Sequence, residues 1–192
     1  MQACANLCHH CAAARSISHC LLPHSPPVTT RQQVRVVEFN SSTPMRVQME
    51  TMASTGVLVS VHTSNLANAQ FLPPGSAVVE LIQRNWIWHN LDKSFQVQTE
   101  MMGDIHHYAW RARHLHQTVY INDRDRHRFG DWAELQCDSE ECVEAHTNVD
   151  VVVDIGELRA LLADRLPLVF AGWSVQAAAV PWPIGEQARQ QA

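Results

Sequence analysis

From Val34 onward, short apolar runs alternate with segments in which apolar residues recur every three or four positions. VRVVEF (34–39) is rich in β-branched residues and predicts a strand. Asn40-Ser41-Ser42-Thr43-Pro44 follows as a helix-start signal, with Thr43 as cap and Pro44 in the first helical position. Met45, Val47, Met49 and Met52 then carry a helix over 44–54. Val57 to Val61 is almost unbroken apolar sequence, the pattern of a strand covered on both faces. Residues 64–70 predict a short helix, Pro73-Pro74-Gly75 a turn, and Ser76 to Ile82 a second buried strand. Leu91 to Gly103 predicts a helix with Leu91, Phe95 and Met102 on one face and Gly103 as its stop. Ile105 to Trp110 predicts another strand.

The predicted order over 34–110 is β-α-β-α-β-α-β. Crossovers this short imply parallel strands joined right-handedly in a doubly wound α/β sheet. Beyond Trp110 the pattern loosens. The mixed-charge run Asp123-Arg124-Asp125-Arg126-His127-Arg128 predicts a solvated loop, and Val149 to Val153 an extended segment. Ile155 to Leu166 predicts a helix with Leu158, Leu161, Leu162 and Leu166 as its apolar stripe. Residues 1–33 hold neither period and are closed by Pro23, Pro26 and Pro27. The expected division is a leader over 1–33, an α/β domain over 34–166 and a frayed tail over 167–192.

Composition sharpens this picture by exclusion. With 192 residues, 46% of them hydrophobic and 17% charged, the chain can bury a core. No run approaches the ~20 apolar residues of a membrane span. The net charge of −5 and the absence of a dense basic block argue against nucleic acid as a partner. Cys4, Cys8, His9, His10 and Cys11 have zinc-ligand chemistry, but no second pair follows at finger-like spacing and Cys20 stands alone. His106 and His107 would point to opposite faces of a strand, so with His114 and His116 they make a poor metal set. No metal or cofactor is expected.

The candidate chemistry lies at residues 57–81. His62-Thr63-Ser64-Asn65 falls where a buried strand ends and a helix begins, the place where open α/β sheets bind ligands. The N–H groups of a helix's first turn suit a phosphate or pyrophosphate. His62 adds a donor when protonated, or through one nitrogen when neutral. The plainer alternative is that Ser64 caps its helix and His62 is a satisfied core residue. The glycine-rich dinucleotide fingerprint and the P-loop are absent. Glu80 sits among Val78, Val79, Leu81 and Ile82, where a carboxylate is costly unless paired with backbone, arginine or ligand. Arg84 is a candidate phosphate partner. Trp86 and Trp88 form either a site wall or a hydrophobic plug, and Phe71 and Leu72 read as core.

This segment resembles the C-terminal half of glycosyltransferase family 61. The matching pieces are Val57 to Val61 running into His62, then Leu66, Phe71-Leu72-Pro73-Pro74-Gly75 and Val78-Val79-Glu80-Leu81. Tyr108-Ala109-Trp110-Arg111 and Gln48 extend the likeness, which covers roughly residues 34–112. One departure stands out: Thr63-Ser64-Asn65 replaces the family's Gly-Ala-Gly, where glycine lets the backbone approach a pyrophosphate closely.

The resemblance implies a Rossmann-like domain of a two-domain GT-B enzyme. A sugar nucleotide, expected to be a uridine diphosphate (UDP) sugar, would be the donor, and a glycan or glycoprotein hydroxyl the acceptor. Together with the local chemistry of the loop and of Arg84, it gives expected donor contacts at His62, Thr63, Ser64, Asn65, Gly75, Glu80 and Arg84, with His62 the one candidate general base. It also implies the lumen of the endoplasmic reticulum or Golgi, where Cys137 and Cys142 would be bridged. Only the family's C-terminal domain is recognisable, so the chain is expected to be a fragment, or a misassembled product, of a longer transferase, and to bind donor by itself without turning it over. The rival reading is a non-catalytic binding or assembly module.

Overall fold

A computed structural model describes residues 33–133 and 136–175. The chain divides after Val37, and the unit beginning at Glu38 carries the fold. Its strands are β1 (Val57–Val61), β2 (Ala77–Ile82), β3 (His106–Arg111), β4 (Thr118–Tyr120) and β5 (Val149–Val151). Its α-helices are α1 (Met45–Ala53), α2 (Ser94–Met102), α3 (Asp123–Phe129), α4 (Glu140–Thr147) and α5 (Ile155–Phe170). Two 3-10 segments, Ser64–Phe71 and Trp88–Lys93, lie between the early strands. No helix among the described residues is long and apolar enough to cross a membrane.

β1, β2 and β3 form a parallel sheet in that order. Every residue of β2 is buried, as its unbroken AVVELI run requires of a central strand. The period-2 alternation decides what meets what. Val78 turns to one face and joins Met52 of α1, Leu66, Ala69, Leu72 and Ile105 in the main core. Phe71, Phe95 and Met102 pack against that core. Leu81 turns to the other face, where with Trp110 it meets Leu158 and Leu161 of α5. The Trp110 indole N–H donates to Glu157 at 2.8 Å, so this buried aromatic keeps its polar atom satisfied. Gln48 ties α1 to the first 3-10 segment, donating to the Thr43 carbonyl and accepting from the Asn68 amide.

The result is a mixed α/β unit with a three-stranded parallel sheet flanked by helices, compatible with a Rossmann-like arrangement. Several expectations need correction. Residues 34–39 form no strand, and Val34 and Val36 are almost fully exposed. Among the described residues the sheet therefore has three strands in the order β1, β2, β3, with no fourth strand reversing that order. β1 is an edge strand rather than one covered on both faces, leaving Val59 and Val61 exposed. Pro44 is the cap of α1 rather than its first residue, and Thr43 instead accepts from the Asn40 N–H in the preceding turn.

The mixed-charge run is a helix. Asn122 caps α3 by accepting from the Asp125 N–H, Asp123 and Asp125 lie in its first turn, and Arg126, His127 and Arg128 in its last. That order of charge complements the helix dipole. α5 likewise runs past Leu166 to Phe170, carrying Pro167 inside it, so part of the expected tail is helical. β4 and β5 pair antiparallel, Thr118 opposite Val151 and Tyr120 opposite Val149, which closes a neck beneath α3 and α4. The leader with Cys4, Cys8, Cys11 and Cys20, and the end of the tail, lie outside the described residues.

Candidate functional site

His62 lies one residue beyond β1, and its backbone N–H donates to the Leu81 carbonyl at 2.9 Å, continuing the ladder by one rung. Strand parity places its ring on the face covered by the main core. Glu80 of β2 and His107 of β3 lie on the same face, since Glu80 pairs with Ser60 and His107 with Val78. The three side chains meet. Glu80, fully buried, bonds His62 Nδ1 through one carboxylate oxygen and His107 Nε2 through the other at 2.7 Å. The two imidazoles retain only 7% and 5% of their side-chain exposure.

Burial is the largest single influence on Glu80 and pushes its acidity down. The hydrogen bonds and charge of His107 and His62 together outweigh it and hold the carboxyl below its ordinary 4.5. An ionised carboxylate only accepts, so both imidazoles donate: His62 through Nδ1–H and His107 through Nε2–H. The other nitrogen of His107, Nδ1, is buried without a partner. For His62, the neutral ring already uses its one N–H on Glu80 and offers a lone pair at Nε2. With Nδ1–H engaged by Glu80, a donor at Nε2 belongs to the imidazolium form. Phe95 and Trp86 meet the ring edge-on, with centroids 4.9 and 5.5 Å away, and fix its plane.

Thr63, Ser64 and Asn65 are exposed at the mouth of this cluster. Thr63, in extended conformation, is the cap of the 3-10 segment, and its side chain makes no capping bond; Ser64 is the first residue inside. The structure separates the remaining candidates. Gly75, with φ +80, turns the chain into the amino end of β2, the far end of the sheet from His62. Arg84 lies at the correct end, but its guanidinium donates to the Gly130 and Trp132 carbonyls, both at 2.7 Å, and clamps that loop. Trp86 is buried beside Ile82 and Val143, the plug alternative. His106 turns to the opposite face from His107 and donates to the Trp173 carbonyl at 3.1 Å. A concavity of about 430 Å3 includes Gly75, and one of about 670 Å3 lies along His114, His116, Tyr120 and Arg126; neither reaches the His62 loop.

Sequence reasoning placed Glu80 beside backbone, arginine or ligand and did not find its two histidines. The available signal was parity: an acidic residue in an apolar central strand with a histidine at the matching parity in the next strand. The resemblance implied a bridge between Cys137 and Cys142, but the buried histidine beside them was not found from sequence. Cys137 and Cys142 are joined by a disulfide, and His146, fully buried, lies beside both sulfurs. His146 Nδ1–H donates to the Cys142 carbonyl at 2.8 Å, and the Tyr120 hydroxyl donates to Nε2 at 2.9 Å. Burial, more than any neighbour, lowers the basicity of His146 below its ordinary 6.5 and raises Tyr120 above 10.0.

No protein-family model and no curated protein matches this chain.

Proposed function

We propose that residues 38–175 form the nucleotide-sugar-binding domain of a family-61-like glycosyltransferase, with a UDP sugar as donor and a glycan or glycoprotein hydroxyl as acceptor. The observation that carries this reading is the Glu80–His62 pair placed directly behind the exposed Thr63-Ser64-Asn65 loop at the carboxyl end of a parallel strand. Glu80 holds His62 in the tautomer that leaves Nε2 basic, the arrangement a general base requires. The acceptor hydroxyl gives its proton to Nε2 as its oxygen bonds the anomeric carbon, and the diphosphate leaves with the electron pair of the broken C–O bond. The imidazolium formed is stabilised by the ionised Glu80 beside it. The buried disulfide supports an oxidising compartment such as the secretory lumen.

A second reading, binding without transfer, is favoured by the loop itself. Thr63 is β-branched where close backbone approach to a diphosphate needs glycine.

Titration calorimetry of the full chain with uridine diphosphate tests the shared element of both readings. Saturable binding at one site, weakened by His62→Ala and by Ser64→Pro, is the expected result. Proline suits Ser64 structurally, because it is the first helical residue and follows an extended one, so the substitution removes an N–H with little strain. A flat titration of folded protein overturns both readings. Sugar transfer abolished by His62→Ala with donor affinity retained would select the enzyme over the binding module.

A further inference from the structure

The Cys137–Cys142–His146 cluster is independent of the glycosyltransferase reading and contains the donor set of a metal site. Cys-x4-Cys-x3-His places the second and third residues one turn apart on α4, facing the first across the start of the helix. Their ligand atoms all lie within 4.8 Å of one another, and all three residues are buried. His146 Nδ1 is 3.8 Å from Cys137 Sγ and 3.6 Å from Cys142 Sγ. A tetrahedral zinc with Zn–S of about 2.3 Å and Zn–N of about 2.0–2.1 Å requires S···N edges of about 3.6 Å. Two edges of the ligand triangle are thus already set, and the third, between the sulfurs, opens when the disulfide is reduced.

We propose that the reduced form of Cys137 and Cys142, with His146 Nδ1, is a binding site for a thiophilic divalent cation, Zn(II) being the natural test. The fourth position falls to solvent or a small ligand.

The chemistry balances as follows. A dithiol reductant gives two electrons and two protons to the disulfide, producing two thiols and its own oxidised form. The cation then displaces both thiol protons to solvent and binds the thiolates. His146 frees Nδ1 by moving its proton to Nε2 and giving up its hydrogen bond to the Cys142 carbonyl. Tyr120 allows this, because its hydroxyl donates to Nε2 now and accepts from Nε2–H afterwards. One residue thereby orients both tautomers, the part that outer hydrogen bonds play around metal-bound histidine. The disulfide and the metal are mutually exclusive, so the redox poise of the surroundings selects between them.

The test uses the full chain carrying Cys4→Ser, Cys8→Ser, Cys11→Ser and Cys20→Ser, so that only Cys137 and Cys142 remain. Co(II) is titrated into oxidised and reduced protein, followed by Zn(II). The expected result is one equivalent of Co(II) in the reduced form alone, with a thiolate charge-transfer band that Zn(II) abolishes. Tyr120→Phe is expected to weaken the affinity about 10-fold or more, and His146→Gln to change the band. Absence of a band in folded reduced protein, or a band indifferent to His146→Gln, overturns the proposal. Should the reduced protein lose its circular dichroism without metal, recovery on adding Zn(II) supports the site and failure to recover overturns it.

Discussion

At the scale of single residues, Glu80 ties two strands and the loop after β1 to one carboxylate. It is fully buried and its two oxygens hold two buried imidazoles. Glu80→Ala leaves two buried imidazole N–H groups without a partner and is expected to cost about 1–3 kcal/mol for each. Denaturant unfolding measures it. Glu80→Gln should cost far less, because an amide can donate to one imidazole and accept from the other, but it forces one ring into the opposite tautomer. Nitrogen-15 spectra of the imidazoles are the check: the native protein should show His62 protonated at Nδ1 and His107 at Nε2, and the variant should lose one of the two. Acid sensitivity follows from the same chemistry with a definite sign. Both Glu80 and His146 have folded values below their ordinary ones, so in each case the unfolded chain binds the proton first. The stability contributed by His146 is complete above 6.5 and declines as pH falls below it; that of Glu80 is complete above 4.5 and declines below that. Thermal melts across pH 8 to 3 should therefore fall in two stages, the second being absent in Glu80→Gln.

At the scale of elements, the helices are fixed by their ends and by a few buried contacts. Asn122→Ala removes the cap of α3 and is expected to cost about 1 kcal/mol. Leu66→Ala empties a fully buried position beneath the His62 loop, with an expected cost of about 2–5 kcal/mol. Urea titration reads both. The sequence made β2, α2 and α5 legible because an unbroken apolar run, a terminal glycine and a leucine stripe are local signals. It misread VRVVEF because β propensity needs a partner strand, and partners are not local. It misread Asp123 to Arg128 because charge alone says solvated, whereas the order of acids before bases behind Asn122 says helix. In the site, His62 was legible from its position after a strand. Its bond to Glu80, and the second histidine on that carboxylate, required the register of two strand pairs. The use of Arg84 as a clamp required knowing that Gly130 and Trp132, more than forty positions onward, return to it.

At the scale of the whole molecule, the narrow β4–β5 ladder draws together the two ends of the segment carrying α3 and α4. That segment meets the parallel sheet at a patch in which Arg84 and Asn85 hold the Gly130 and Trp132 carbonyls while Val143 packs on Ile82 and Trp86. Because the ladder brings the two ends of the segment together, residues 121–148 can open as a cooperative unit while β1, β2 and β3 stay formed. Amide hydrogen exchange should then sort into two populations. The amides of α3 and α4 should exchange together and earlier, and those of β2 only with global unfolding. Arg84→Ala should speed the first group and leave the second unchanged. A single exchange rate shared by α4 and β2 would mean that the neck does not separate them. Where the segment opens on its own, the free energy of that local opening, rather than the global stability, sets how quickly a thiol reagent from solution reaches the buried sulfurs.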